Sequence, residues 1–207
     1  MNKPHDPTTR LVGDLRMKGV ELGGALGRDP DGNSFFLDAC INIAPKASEE
    51  LYYDGNRRQR GYCHLHGDAA HIPLFADTVD YVVSSHVMEH VPDLIRAWEE
   101  WERVVKPGGY FLYIVPRHDA LESDKRPLED FTVDRIWQAY EESWGWDNLP
   151  WDPQCHPVGG PYGHWWKFTP WLLREAISKY CGRWWIVDEE DPDSKVGNGF
   201  FQAWQLT

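Results

Sequence analysis

Several residues of this chain have the type and spacing to do chemistry. Gly23-Gly24-Ala25-Leu26-Gly27 follows a short apolar run, Gly19-Val20-Glu21-Leu22. A glycine loop after a strand lets the backbone approach a ligand closely, because glycine has no side chain and tolerates positive φ. Asp38 comes fifteen residues after Gly23, at the end of Ser34-Phe35-Phe36-Leu37, where a carboxylate can accept hydrogen bonds from both ribose hydroxyls of an adenosine ligand. Four histidines, His86, His118, His156 and His164, are placed to reach the same edge, and imidazole suits general base work near neutral pH. Cys63, His64 and His66 suggest a metal, but strand alternation turns Cys63 away from both histidines and no carboxylate follows at ligand spacing. No metal site is therefore expected. Neither a Ser-His-Asp arrangement with an elbow motif nor a Walker loop is present.

The elements that must position these groups are clearest between Gly67 and Pro116. Val79–Ser84 is a short run of β-branched and aromatic residues, as expected of a strand buried on both faces. Leu94, Trp98, Trp101 and Val105 then recur at helical spacing and form one apolar stripe. Lys106-Pro107-Gly108-Gly109 should stop that helix, and Tyr110–Val115 should be the next strand. A strand–helix–strand unit of this kind implies a right-handed crossover and a parallel sheet. Upstream, Tyr62–His66 reads as strand three and a short helix is expected around Ala47–Tyr52. Downstream, a helix over Asp134–Glu142 is expected. Thr169 caps a further helix, with Pro170 in its first turn and Leu173, Ala176, Ile177 and Tyr180 on one face, and Gly182 ends it. Trp184–Val187 and Phe200–Leu206 close the chain as two strands around a turn at 191–198.

Three ordered stretches, Gly67–Val82, Met88–Asp93 and Val105–Gly109, resemble the motifs of class I S-adenosylmethionine-dependent methyltransferases, in particular the small type 11 group. The departures are slight: Met88 stands where Leu is usual, and the middle glycine of the first loop is Ala25. The resemblance implies an α/β, doubly wound, mostly parallel seven-stranded sheet with an antiparallel last strand. Only ten residues separate Gly27 from Asp38, so the first helix should be lost or reduced to a turn. By the same resemblance S-adenosylmethionine is the cofactor, held by Glu21, Gly23, Gly24, Asp38, Asp68, Ala69, Ser85 and His86. Asp68 would accept the adenine amino group and the Ala69 amide would meet a ring nitrogen, whereas an Asp after a strand otherwise caps a helix or forms a turn. His90, in Met88-Glu89-His90, is expected to be structural, positioning the helix start. His164, ahead of Trp165-Trp166-Lys167-Phe168-Thr169, is the first candidate for a catalytic base and His118 the second; the alternative for His164 is a bridge between the insertion and the helix.

Composition bounds the partners. At 207 residues one domain over 1–207 is the natural expectation, with 117–163 as a substrate-side insertion after strand five. The insertion holds Trp137, Trp144, Trp146 and Trp151, which either pack it against the core or offer faces that stack on a sugar or heterocycle. Formal charge is −12, so nucleic acid is disfavoured, and Arg57, Arg58 and Arg60 are too small a basic cluster to reverse that. An acceptor should then be neutral or cationic, or phosphate-bearing and held locally by Arg117, Lys125 or Arg126. No apolar run approaches the ~18 residues of a membrane span, and MNKPHDPTTR has no apolar h-region, so secretion is not expected. Four scattered cysteines fit reduced thiols and a cytoplasmic location.

The function expected from all this is methyl transfer to a small-molecule or glycan acceptor, at oxygen or nitrogen. A catalytically silent adenosine-binding module is the alternative that Ala25 and the short first loop would support. A nicotinamide-dependent oxidoreductase is disfavoured, since the loop lacks G-x-G-x-x-G and Gly67-Asp68-Ala69 would go unexplained.

Overall fold

A computed structural model of the protein describes residues 7–12, 17–23, 40–44, 51–54, 57–60, 65–122, 124–145 and 164–207. The elements, in chain order, are helix α1 (Pro7–Val12) and strands β1 (Gly19–Leu22), β2 (Cys40–Ala44), β3 (Leu51–Asp54), β4 (Arg57–Arg60), β5 (Leu65–His66) and β6 (Val79–Ser85). After these come α2 (Leu94–Val104), β7 (Val105–Pro116), α3 (Val133–Glu141), α4 (Pro170–Tyr180), β8 (Trp184–Glu190) and β9 (Gly199–Leu206).

The sheet runs β5-β2-β1-β6-β7-β9-β8. Strands β1, β2, β5, β6 and β7 are mutually parallel, and β9 is antiparallel to both neighbours. The expectation of seven strands holds in part. The fully built body is the five mixed strands β1-β6-β7-β9-β8, while β2 and the two-residue β5 form a short margin beside β1. Alternation along the central strands feeds two cores. Val20, Val82, Phe111, Tyr113 and Val115 join the large core under α2, α3 and α4. Tyr81, Val83, Leu112 and Ile114 point the other way, to a smaller core closed by Val12 of α1. Both faces are covered, and this is why these strands read as continuous apolar runs.

Local chemistry explains the borders. Asp93 Oδ1 accepts from the Arg96 amide at 3.0 Å and caps α2, which buries Leu94, Trp98 and Trp101. Thr132 and Thr169 do the same for α3 and α4, and Pro170 opens α4 as expected. Helix α4 ends at Tyr180 with Cys181 as its C-cap, one residue before the expected Gly182.

Three expectations are corrected. The strand paired with β1 is Cys40–Ala44, with Gly19 opposite Cys40 and Leu22 opposite Ile43. Asp38 therefore precedes strand two in the chain instead of closing it; it lies, with Ser34–Leu37 and the expected short first helix, outside the described residues. Leu51–Asp54 is not helical but forms an antiparallel hairpin with Arg57–Arg60. Strand three is seen at Leu65–His66, and the rest of the expected Tyr62–His66 lies outside the described residues. Finally, Lys106–Gly109 does not separate helix from strand. Strand β7 starts at Val105, and these four residues are looped out between the pairs Val79–Val105 and Tyr81–Tyr110. Asp80 holds the bulge through Lys106 Nζ at 2.7 Å. Gly109 is required there, because a Cβ would lie 2.6 Å from the Asp80 carbonyl oxygen.

Candidate functional site

The carboxyl edge of the parallel strands gathers the candidate groups. Leu22 of β1 is level with Ser84 of β6, so Gly23 leaves the sheet beside Ser85 and His86. Gly23 has φ +71°, and a Cβ on it would lie 2.4 Å from Val87 Cγ2. Only glycine fits this approach. Glu21 is buried, and the register sets Asn42 of β2 beside it. Along the same edge, the Asp68 side chain is exposed and its Oδ1 accepts from the Ala70 amide at 2.7 Å. Ala69 is buried, and its carbonyl accepts from Trp101 Nε1 at 2.8 Å.

His86 has φ +52°, an uncommon conformation for a side-chain-bearing residue. Its amide donates to the Ile114 carbonyl of β7 at 2.9 Å, which fixes the turn out of β6. A single 3-10 turn, Met88–His90, follows and presents Glu89 inward, with no exposed surface. His86 Nδ1 is 3.4 Å from Glu89 Oε1, and His90 Nε2 is 3.7 Å from the same oxygen. His164 arrives from the far end of the insertion and packs edge-on against His90, ring centroids 5.0 Å apart. The ligand atoms of Glu89, His90 and His164 all lie within 4.8 Å of one another.

Backbone bonds hold this meeting in place. The Glu89 carbonyl accepts from the Trp165 amide at 2.7 Å, and Trp166 Nε1 donates to the Val91 carbonyl at 2.7 Å. Arg126 donates to the carbonyls of His164 and Trp165 at 2.8 and 2.9 Å and pairs with buried Asp124 at 2.7 Å. Lys167 Nζ donates to the carbonyls of Asp124 and Arg126 at 2.9 and 2.8 Å.

The charges respond to this packing. Burial works against ionisation of Glu89, but His86, His90 and His164 outweigh it and hold the carboxyl below its ordinary value. Burial also opposes a charge on His86, yet the Glu89 carboxylate wins and raises it. For His164 burial prevails over the pull of Glu89, and repulsion from His90 and His86 adds to it, so its value is lowered.

The family model of a methyltransferase domain matches residues 38–113. The demethylmenaquinone methyltransferase of Anoxybacillus flavithermus is 32% identical over 93 residues, which is 44% of this chain and 36% of that protein. An uncharacterized methyltransferase of a Mycobacterium species is 31% identical over 114 residues, 50% of this chain and 44% of the relative. Over residues 38–113, then, the chain matches a methyltransferase domain of the type 11 group. It spans less than half the length of these two relatives. The fold agrees. A methyltransferase from Mesorhizobium loti superposes with a TM-score of 0.54 at 12% identity, over 91% of this chain and 90% of its own. The 1,6-didemethyltoxoflavin-N1-methyltransferase of Burkholderia thailandensis, solved with its substrate and S-adenosylhomocysteine, gives 0.53 at 16% identity, over 97% of this chain and 76% of its own.

Within this methyltransferase fold, the residues expected from the sequence fall into two groups. Glu21, Gly23, Ser85 and His86 stand together at the ends of β1 and β6. Asp68 and Ala69 follow β5. Gly24, Asp38 and His156 lie outside the described residues, as do Trp146 and Trp151. His118 is half-buried two residues past β7 and is not part of the cluster formed by Glu89, His90 and His164. Trp144 is buried and stacks with Trp166 at 6.1 Å, so the packing role holds for it. Sequence reasoning missed Glu89, and it treated His90 as merely structural. The signal available was Glu89 beside two histidines in the turn after β6, but its partner His164 is 75 residues away. Among the described residues no helix is long and apolar enough to cross a membrane.

Proposed function

We propose that this protein transfers a methyl group from S-adenosylmethionine to a small-molecule acceptor, at an oxygen or nitrogen atom. The observation that carries the reading is the convergence at one sheet edge. The positive-φ glycine after β1 and the Ser85-His86 turn after β6 leave side by side, next to a turn that collects imidazoles on a buried carboxylate. Adenosine fits along Glu21, Gly23, Gly24, Asp68, Ala69, Ser85 and His86. Of the two carboxylates available to the ribose, the start of β2 at Cys40 favours Glu21 over Asp38.

The sulfonium donor is already activated by its charge, so the protein must chiefly align nucleophile and methyl group, an effect of proximity and orientation. The segment from Arg117 through His164 leaves and re-enters at this edge, which suits it to cover the acceptor. His164, held toward its neutral form by burial, is able to accept a proton from an acceptor hydroxyl, and His118 is the second candidate. A neutral or cationic small molecule or glycan suits the net charge of −12 better than a nucleic acid does. The demethylmenaquinone and 1,6-didemethyltoxoflavin methyltransferases similar to this chain, neither named for a macromolecule, support a small-molecule acceptor.

Titration calorimetry of the protein with S-adenosylhomocysteine and with NADH tests the cofactor. Saturable heat with the first and none with the second is expected; the reverse result overturns the reading. Turnover on a panel of small hydroxyl and amine acceptors then separates an enzyme from a silent adenosine-binding module.

A further inference from the structure

The geometry points to a site for one divalent transition-metal ion at Glu89, His90 and His164, with His86 bracing the carboxylate. The inference goes beyond methyl transfer, since the ion can bind whether or not the reaction occurs, and it departs from the sequence expectation of no metal.

Three observations carry it. First, Glu89 is fully buried, and neither carboxylate oxygen receives a well-formed hydrogen bond. A buried carboxylate is costly unless it is paired or bound to a metal. The groups that face it are imidazoles, with His86 Nδ1 and His90 Nε2 at 3.4 and 3.7 Å from Oε1. Second, one carboxylate and two imidazoles offer ligand atoms within 4.8 Å of one another. Around a tetrahedral ion with bonds of about 2.1 Å, ligand atoms lie about 3.4 Å apart. Closing the difference takes side-chain rotation of about 1 Å, and His90 and His164 are only half-buried, with room to turn. Third, the ligands arrive on backbone already fixed before any ion binds. The turn carrying Glu89 and His90 is bonded to the amide of Trp165, and the carbonyl of His164 is bonded to Arg126. Such support on ligand-bearing segments is what holds a metal site in register.

The donor set selects the ion. Imidazole nitrogens with one carboxylate and no thiolate suit Zn²⁺, Co²⁺, Fe²⁺ or Mn²⁺ and are too nitrogen-rich for Ca²⁺ or Mg²⁺. Three protein ligands leave a coordination position open, as in catalytic rather than structural zinc sites. An acceptor oxygen or nitrogen that filled that position would be polarised by the ion. Metal binding occupies the same His164 lone pair that a general base would use. Under the simple base reading, added metal therefore inhibits turnover; under this inference it does not.

The test uses tag-free protein stripped with a chelator and titrated calorimetrically with Zn²⁺, Mn²⁺ and, as a control, Mg²⁺. Co²⁺ is added in parallel and followed by its visible absorption. The expected result is one equivalent of Zn²⁺ or Co²⁺, with affinity at least tenfold weaker in Glu89→Gln and in His164→Gln and unchanged in His118→Ala. Binding of S-adenosylhomocysteine should survive in all three variants, which reports an intact fold and keeps this test separate from that of the cofactor. Absence of saturable Zn²⁺ and Co²⁺ binding in protein that still binds S-adenosylhomocysteine overturns the site. Binding that persists undiminished in both ligand variants overturns it equally.

Discussion

Two of the buried carboxylates, Asp124 and Glu89, have neighbours that differ in kind. Asp124 is clamped by fixed cations: Arg126 grips both of its oxygens at 2.9 and 2.7 Å, and Lys167 Nζ stands 3.8 Å away. Among the described residues, the ion-pair partners of Glu89 are imidazoles, at 3.4 and 3.7 Å, each charged only when protonated. The first arrangement is complete in itself. It ties residues 124–126 to 164–167 and thereby sets where His164 can be. The second lacks a permanent positive charge at its centre. A buried acid with its own Arg and Lys is part of the scaffold, whereas one ringed by histidines is built to take up a proton or a cation.

The largest effect that could break this comparison is on stability. Asp124→Asn leaves Arg126 and Lys167 largely buried without their carboxylate, and breaking such a pair costs about 3–5 kcal/mol. Glu89→Gln in metal-free protein removes a buried charge whose imidazole partners can become neutral, so it should cost less than Asp124→Asn. Urea unfolding of both variants checks the contrast, and equal losses would erase it. Next in size is the response to metal. At a hundred times its dissociation constant, Zn²⁺ should stabilise the parent by about 2.7 kcal/mol. It should leave Glu89→Gln unmoved in thermal unfolding, while Asp124→Asn, if folded, still responds.

A smaller effect sharpens the boundary between cofactor and acceptor sides. Gly23→Ala forces a left-handed conformation on a residue with a Cβ, at about 1–2 kcal/mol, and sets that Cβ against Val87. Calorimetry should find weakened S-adenosylhomocysteine binding with Zn²⁺ binding retained; loss of both would mean the two halves are not separable. The smallest effect concerns acid. Burial raises the Asp124 carboxyl, but Arg126 and then Lys167 outweigh it and hold it below the ordinary value. Its folded value is thus lower than its unfolded one of about 3.9. The stability it contributes is present above about pH 4 and is lost as pH falls through the folded value. Unfolding free energy measured from pH 5 downward should fall less steeply in Asp124→Asn than in the parent.

What the sequence by itself determined was everything that depends on near neighbours. The apolar stripe of α2, the Thr169-Pro170 start of α4, the buried strands β6, β7 and β9, and the glycine after β1 all follow from periodicity, capping and turn chemistry over a few residues. The ordered motifs were likewise enough for the family and the parallel sheet. The tertiary structure decided what depends on register and on distant segments. That Cys40–Ala44 pairs with β1 is a matter of which run hydrogen-bonds to it, which the residues of a strand do not decide by themselves. That Lys106–Gly109 bulges out within a strand depends on Asp80 across the ladder. Above all, Glu89 meets His164 because the strand order and the Asp124–Arg126–Lys167 clamp return a chain segment 75 residues later to the same turn. Periodicity and capping act over one or two turns of chain, and the positions at which distant side chains meet are set by packing between elements.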